Sequence, residues 1–124
     1  MNRCLVAVAL ALLAALPAHA QRVFERSALR GELQVTSPPD VLLNGQPARL
    51  SPGARIRDPR NLIVLSGTVV GQKLLVNYAV DGFGLVHNVW VLSADEAARQ
   101  PWPKTAAEAA AWTFDSTMQR WTKP

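Results

Sequence analysis

The chain has 124 residues, a formal net charge of +4 and one cysteine. That length is enough for one small domain. A charge this small and local does not make the broad basic face of a nucleic-acid binder, and a lone cysteine excludes a disulfide within the chain.

Met1–Ala20 has the pattern of a secretory signal peptide. Arg3 supplies a positive start, and Leu5–Leu16 is an unbroken apolar run too short to span a bilayer comfortably. Pro17 breaks the run, and Ala18-His19-Ala20 fits the small-x-small cleavage rule, leaving Gln21 first. Cys4 precedes the apolar run, so it should leave with the leader. Removing Arg3 from the +4 leaves about +3 on the expected product, enough for solubility and attraction to anionic surfaces. The expectation is a periplasmic or secreted protein with no transmembrane anchor after cleavage.

Residues 21–124 should form one domain, with strands over 29–92 and a helical or irregular cover over 93–124. Gln21–Ala28 shows little periodicity and reads as a frayed end. Leu29–Thr36 alternates: Leu29, Gly31, Leu33 and Val35 face one way, and Arg30, Glu32, Gln34 and Thr36 the other. That is a half-exposed strand, ended by Ser37-Pro38-Pro39-Asp40. Val41-Leu42-Leu43 runs into Asn44-Gly45, a strong two-residue hairpin signal. Pro47 marks the returning run Gln46–Leu50 as an edge or as lying outside the sheet, and Ser51-Pro52-Gly53 reads as another turn. Arg55-Ile56-Arg57 should be a short strand with Ile56 inward and both arginines outward. Leu62–Val70 is β-rich with a bend at Ser66-Gly67, and Gly71-Gln72 suits a tight hairpin. Leu62–Leu92 then reads as three consecutive antiparallel strands.

The organising stretch is Leu74–Leu92, two β-branched and aromatic runs around Asp81-Gly82-Phe83-Gly84. A two- or four-residue loop puts Leu74, Val76, Tyr78, Val80, Leu85, His87, Val89 and Val91 on one face, which should be core. Leu75, Asn77, Ala79, Val86, Asn88, Trp90 and Leu92 take the other. A three-residue loop exchanges the partners, because a one-residue slip flips every side chain. Ser93-Ala94-Asp95-Glu96 and Thr105-Ala106-Ala107-Glu108 are capping-box patterns that should open two short helices, over Ala94–Arg99 and Ala106–Trp112. The tail around Phe114 and Trp121 reads as a small hairpin or an irregular segment. The expected fold is mainly β: a small antiparallel barrel or curled sheet of about five or six strands with one or two short C-terminal helices.

Catalytic equipment is sparse. His87 is the only imidazole after the leader, and zinc or copper usually needs several His or Cys ligands, so no metal and no cofactor is expected. Asp95 and Glu96 are explained by the helix start. No phosphate-loop, nucleophile-elbow or dinucleotide pattern occurs. Arg49, Arg55, Arg57 and Arg60 cluster within a dozen residues, and arginine forks match phosphate and carboxylate geometry. Edge charge is also a routine device against strand-to-strand association. Asn77, Asn88 and Trp90 form a second candidate face if the C-terminal helices leave it open. Trp102, Trp112, Phe114 and Trp121 can seal a small core or stack on a ligand.

The segment Leu43–Arg57, with Val76-Asn77-Tyr78 and Val86–Glu96, resembles uncharacterised small secreted proteins of Gram-negative bacteria, chiefly betaproteobacteria. The resemblance implies architecture and export, and no activity or catalytic residue. The reading that follows is an exported non-enzymatic binding or interaction module of the cell envelope. Its expected partner is an envelope protein or an anionic glycan or lipid, not a nucleic acid. The alternatives are an envelope hydrolase using His87 or scattered carboxylates, and a structural or stress-related periplasmic protein.

Overall fold

The computed structural model describes residues 21–124, so the predicted leader lies outside the described residues. Six strands build the main sheet: β1 (Leu29–Ser37), β2 (Asp40–Leu43), β3 (Gln46–Arg57), β4 (Ile63–Val64), β5 (Lys73–Val80) and β6 (Val86–Val91). Helices α1 (Ala94–Ala97) and α2 (Ala106–Ala111) follow, then a hairpin of β7 (Thr113–Asp115) and β8 (Arg120–Thr122). The mainly β class with two short C-terminal helices is as expected.

The strand order is β2-β1-β5-β6-β3-β4, and β2 also pairs with β3. Five strands therefore close a ring, with β4 as a short addition to β3. Within the ring every pairing is antiparallel except β3–β6, which is parallel. This is the strand order of an OB-type Greek-key barrel. Its interior is filled by Leu33, Val35, Val41, Leu50, Ile56, Val76, Tyr78, Val86 and Val89.

Local chemistry explains much of the path. Asn44 and Gly45 both adopt positive φ, 54° and 78°, as a type I′ hairpin requires. The run with Pro47 does not lie outside the sheet: it opens β3, which pairs with β2 and runs on to Arg57. Leu43 and Gln46 flank the two-residue loop, so the next pair, Leu42–Pro47, is one whose backbone N–H groups point away from the partner strand. Proline there breaks no ladder bond. Ser51-Pro52-Gly53 is likewise no turn. It falls where the β3–β6 register shifts between Leu50 and Arg55, and the strand absorbs it as an irregularity.

The predicted meander over Leu62–Leu92 is also corrected. Ile63 and Val64 pair with Arg57 and Ile56 of β3, not with β5. Ser66–Thr68 forms a 3-10 turn. The Gly71 N–H donates to the Val35 carbonyl, and β5 instead lies between β1 and β6.

The β5–β6 hairpin pairs Val76 with Val91, Asn77 with Trp90, Tyr78 with Val89 and Ala79 with Asn88, so most of the predicted faces hold. A bulge at Ala79/Val80 then brings Val86 opposite Val80. The extra residue, His87, turns Val86 into the core against the expected assignment, while Val80 keeps its expected face and is exposed as the last residue of β5.

A second apolar cluster lies outside the barrel: Phe24, Ala28, Trp102 and Trp121, flanked by Trp90, Leu92, Trp112 and Phe114. Phe24 meets Trp90 and Trp102 edge-on, and Phe114 stacks on Trp121. The Trp102 indole donates to the Ala28 carbonyl at 3.0 Å. The segment Gln21–Ala28 is therefore anchored, not frayed. The cover on this face comes from these aromatics more than from the helices, since α2 buries no residue and α1 buries only Glu96.

Candidate functional site

The two groups of candidate residues meet at the β3–β6 seam. The parallel register sets Arg55 beside Asn88 and Arg57 beside Trp90. Trp90 pairs in turn with Asn77 on β5, and Asn77 with Arg30 on β1. One row thus crosses four strands: Arg57, Trp90, Asn77, Arg30.

The row is dry at one end and wet at the other. Asn77 is 0% exposed, and its side-chain oxygen accepts from Arg30 Nε at 3.1 Å. Arg30 is buried as well. Its guanidinium donates to the carbonyls of Glu96, Ala97 and Arg99, capping α1, and lies over Trp102. Burial, then repulsion from Arg99, push the Arg30 pKa down to about 10 against the attraction of Glu96, so it stays charged at neutral pH. Asn77 is thereby removed from the candidate contact face: the aromatic cover hides it. Trp90 is half-buried against Phe24. At the far end Arg57 and Asn88 are half-buried and Arg55 is exposed.

Arg49 and Arg60 are exposed and sit at either side of this group. Arg49, on the part of β3 that pairs with β2, reaches Asp40 at 3.3 Å in an exposed ion pair that contributes little. Arg60 lies in the turn after β3, where the Asp58 carboxylate accepts from the Arg60 and Leu62 backbone N–H groups. Among the described residues the ion pairs are Arg49–Asp40 and Arg22–Glu96. Arg55, Arg57 and Arg60 thus present guanidinium groups without a carboxylate partner.

Arg22 is invisible to sequence reasoning because nothing in its neighbourhood marks it. Its guanidinium forks onto both carboxylate oxygens of Glu96 and also donates to the Asp58 and Val91 carbonyls. Glu96 also completes the predicted capping box with Ser93. Burial raises the Glu96 pKa, but hydrogen bonds and charge from Arg22, with the hydrogen bonds of Ser93, hold it below its ordinary value.

His87 is half-buried on β6, and its Nδ1 lies 2.8 Å from the Ser51 hydroxyl of β3. Ser51 is 7% exposed and borders a shallow groove between the Pro38-Pro39 turn and β4. Their partnership comes from the parallel strand pairing, across 36 residues of sequence. No carboxylate hydrogen-bonds to His87 among the described residues, so a serine and a base are present without the third group that orients the base in a triad. Among the described residues no group of three or more His, Cys, Asp or Glu side chains could hold a metal ion. None of their helices is long and apolar enough to cross a membrane. Comparison of the chain with protein-family models, curated proteins and solved structures finds no match.

Proposed function

We propose that the protein is an exported, non-enzymatic binding module of the cell envelope that takes an anionic envelope component, glycan or lipid, on the Arg55–Arg57 face. The observation that carries this reading is the seam itself. Two unneutralised arginines stand next to Asn88 and the half-buried Trp90 on one sheet face. Guanidinium forks offer paired donors to phosphate or carboxylate, and an amide and an indole edge add contacts suited to a sugar or headgroup. Barrels of this strand order commonly use the face of their second and third strands and the adjoining loops for oligomeric ligands. Here that region carries Arg49 and Arg55, and the β5–β6 loop carries Phe83, which is 92% exposed. The export half of the proposal rests on the leader pattern of Met1–Ala20.

Pull-down from envelope extract, with the wild type and with Arg55→Ala/Arg57→Ala, tests the reading. A glycan or lipid species retained by the wild type and lost from the variant supports it. Identical profiles remove the arginine face from the proposal.

The Ser51–His87 contact favours a second reading, an envelope hydrolase with Ser51 as nucleophile and His87 as base. A fluorophosphonate probe that labels the wild type and fails to label Ser51→Ala would favour it. An unlabelled wild type would leave the hydroxyl as a structural partner of the imidazole.

A further inference from the structure

Beside the Arg55–Arg57 face the sheet ends in an apolar edge. β4 has two residues and pairs with β3 alone, so no strand lies on its outer side. Its register sets Ile63 opposite Arg57 and Val64 opposite Ile56. Opposed residues share a face, so Val64 follows Ile56 inward and Ile63 stands outward with Arg57. Leu65 continues in extended backbone and returns to the Ile63 side. Leu62, Ile63 and Leu65 are between 58% and 72% exposed. Leu62 is held in place: its carbonyl accepts from the Asp58 N–H, and its own N–H donates to the Asp58 carboxylate. Three large apolar side chains within four residues, fixed in contact with water, mark an interaction surface.

The charge beside this edge selects what covers it. Arg55, Arg57 and Arg60 have no carboxylate partner among the described residues, and Asp58 is the acid that stands among them. Three positive charges against one leave an excess of two. On the α1 side Pro59 borders a cavity where Arg22 and Arg99 offset Asp95 and Glu96, and the Gln21 amino end adds a positive charge there once the leader is removed. A second copy docked edge to edge would set these guanidinium groups against one another.

We infer that this edge docks on an anionic lipid bilayer, with Leu62, Ile63 and Leu65 entering the acyl boundary and Arg55, Arg57 and Arg60 reaching the headgroup phosphates. Apolar side chains rimmed by basic ones bind such a surface through both terms at once. The inference rests on the anionic contact proposed for Arg55 and Arg57, and adds insertion to it.

Residues 21–124 hold both apolar clusters and every described strand, so the test uses them without the leader, whose apolar run would enter a bilayer by itself. Co-sedimentation is measured with vesicles of phosphatidylcholine alone and of phosphatidylcholine with phosphatidylglycerol. The wild type should pellet with the anionic vesicles and stay in solution with the neutral ones. Leu62→Ser/Leu65→Ser, at exposed positions outside β4, should fold as the wild type does and bind the anionic vesicles about tenfold or more weakly, as the lost burial of two leucine side chains requires. A wild type that ignores anionic vesicles, or binds both kinds equally, overturns the inference; a glycan still retained through Arg55 and Arg57 in the pull-down would leave the proposed function standing. Undiminished binding by the leucine variant overturns it too, and its loss from Arg55→Ala/Arg57→Ala would then mean headgroup contact without insertion. A dimer in vesicle-free solution that the leucine variant fails to form also overturns it, assigning the edge to a second copy.

Discussion

Arg22 holds Glu96 by both carboxylate oxygens, joining residues 74 apart in the sequence. The same guanidinium satisfies the carbonyls of Asp58 and Val91. One side chain thus ties the segment before β1 to the end of β3, the end of β6 and the start of α1. Removing one partner of such an enclosed pair leaves the other charge desolvated and unpaired. Arg22→Ala should therefore cost about 3 kcal/mol or more in chemical denaturation. Arg22→Ala/Glu96→Ala should cost less than the two single changes added together. Strict additivity would show that the two groups do not act as a pair.

Glu96 also sets an expectation for acid. Its carboxyl pKa is lowered from 4.5 in the folded protein. A group shifted in that direction stabilises the fold fully above its unfolded pKa and loses its contribution as the pH falls through the folded value. Stability should be level in this respect at neutral pH and should decline on acidification below about 4.5. Glu96→Gln should start from lower stability at neutral pH and show a shallower decline. Parallel curves for the two proteins, by urea unfolding at stepped pH, would mean that Glu96 is not linked to folding.

Tyr78 packs inside the barrel at 6% exposure, opposite Val89. Burial pushes its hydroxyl pKa up. Tyr78→Ala should cost about 3 kcal/mol or more, as other buried aromatics do on truncation. A near-neutral effect on the denaturation midpoint would contradict the placement of this face in the core.

Gly31 sits where a side chain has no room. A Cβ there would come within 2.9 Å of Asn44 Oδ1 and 3.1 Å of Tyr78 Cε1. That Asn44 oxygen already accepts from the Glu32 N–H, so it cannot move without breaking a bond. Gly31→Ala should destabilise by about 1–3 kcal/mol through overpacking. If the thermal midpoint does not fall, the Asn44 side chain is free to swing away.

Gly45 has the opposite environment: a Cβ there would meet nothing within 4 Å, and the φ of +78° alone opposes a branched side chain. Gly45→Val should cost about 1–2 kcal/mol, the penalty of a side chain in the left-handed region. An unchanged midpoint would argue that the loop adopts another turn type in solution.

What was legible in the sequence is what neighbouring residues decide together. Asn44-Gly45 reports its hairpin because positive φ at both positions is a local demand. Ser93 with Glu96, and Thr105 with Glu108, report their helix starts because the orphan N–H groups lie within one turn of the capping side chain. That Asn77 and Trp90 share a face follows from the pleat. Features set by distant partners were not legible. Nothing around Phe24 says that it will meet Trp90 and Trp102, and a short polar-flanked segment looks like a loose end until those rings arrive. The parallel β3–β6 pairing has no tight turn to announce it, and with it went the Ser51–His87 contact and the joining of Arg55 to Asn88. The inward turn of Val86 shows the cost of one bulge, since a single added residue, His87, exchanges the inward and outward sets beyond it on its own strand.

The ring of strands bears on how quickly the molecule can be made. β1 needs β5 and β3 needs β6, so the ring cannot close while only the first half of the chain is present. Local hairpins such as β2–β3 can form early, on the order of microseconds. The final seam has to bring distant segments into register, and chains dominated by such non-local pairings fold in milliseconds to seconds. The Arg22 anchor comes later still, because Glu96 lies beyond the last strand of the ring. Until residues beyond β4 are available, β1 and β3 each lack a neighbour that the finished ring supplies.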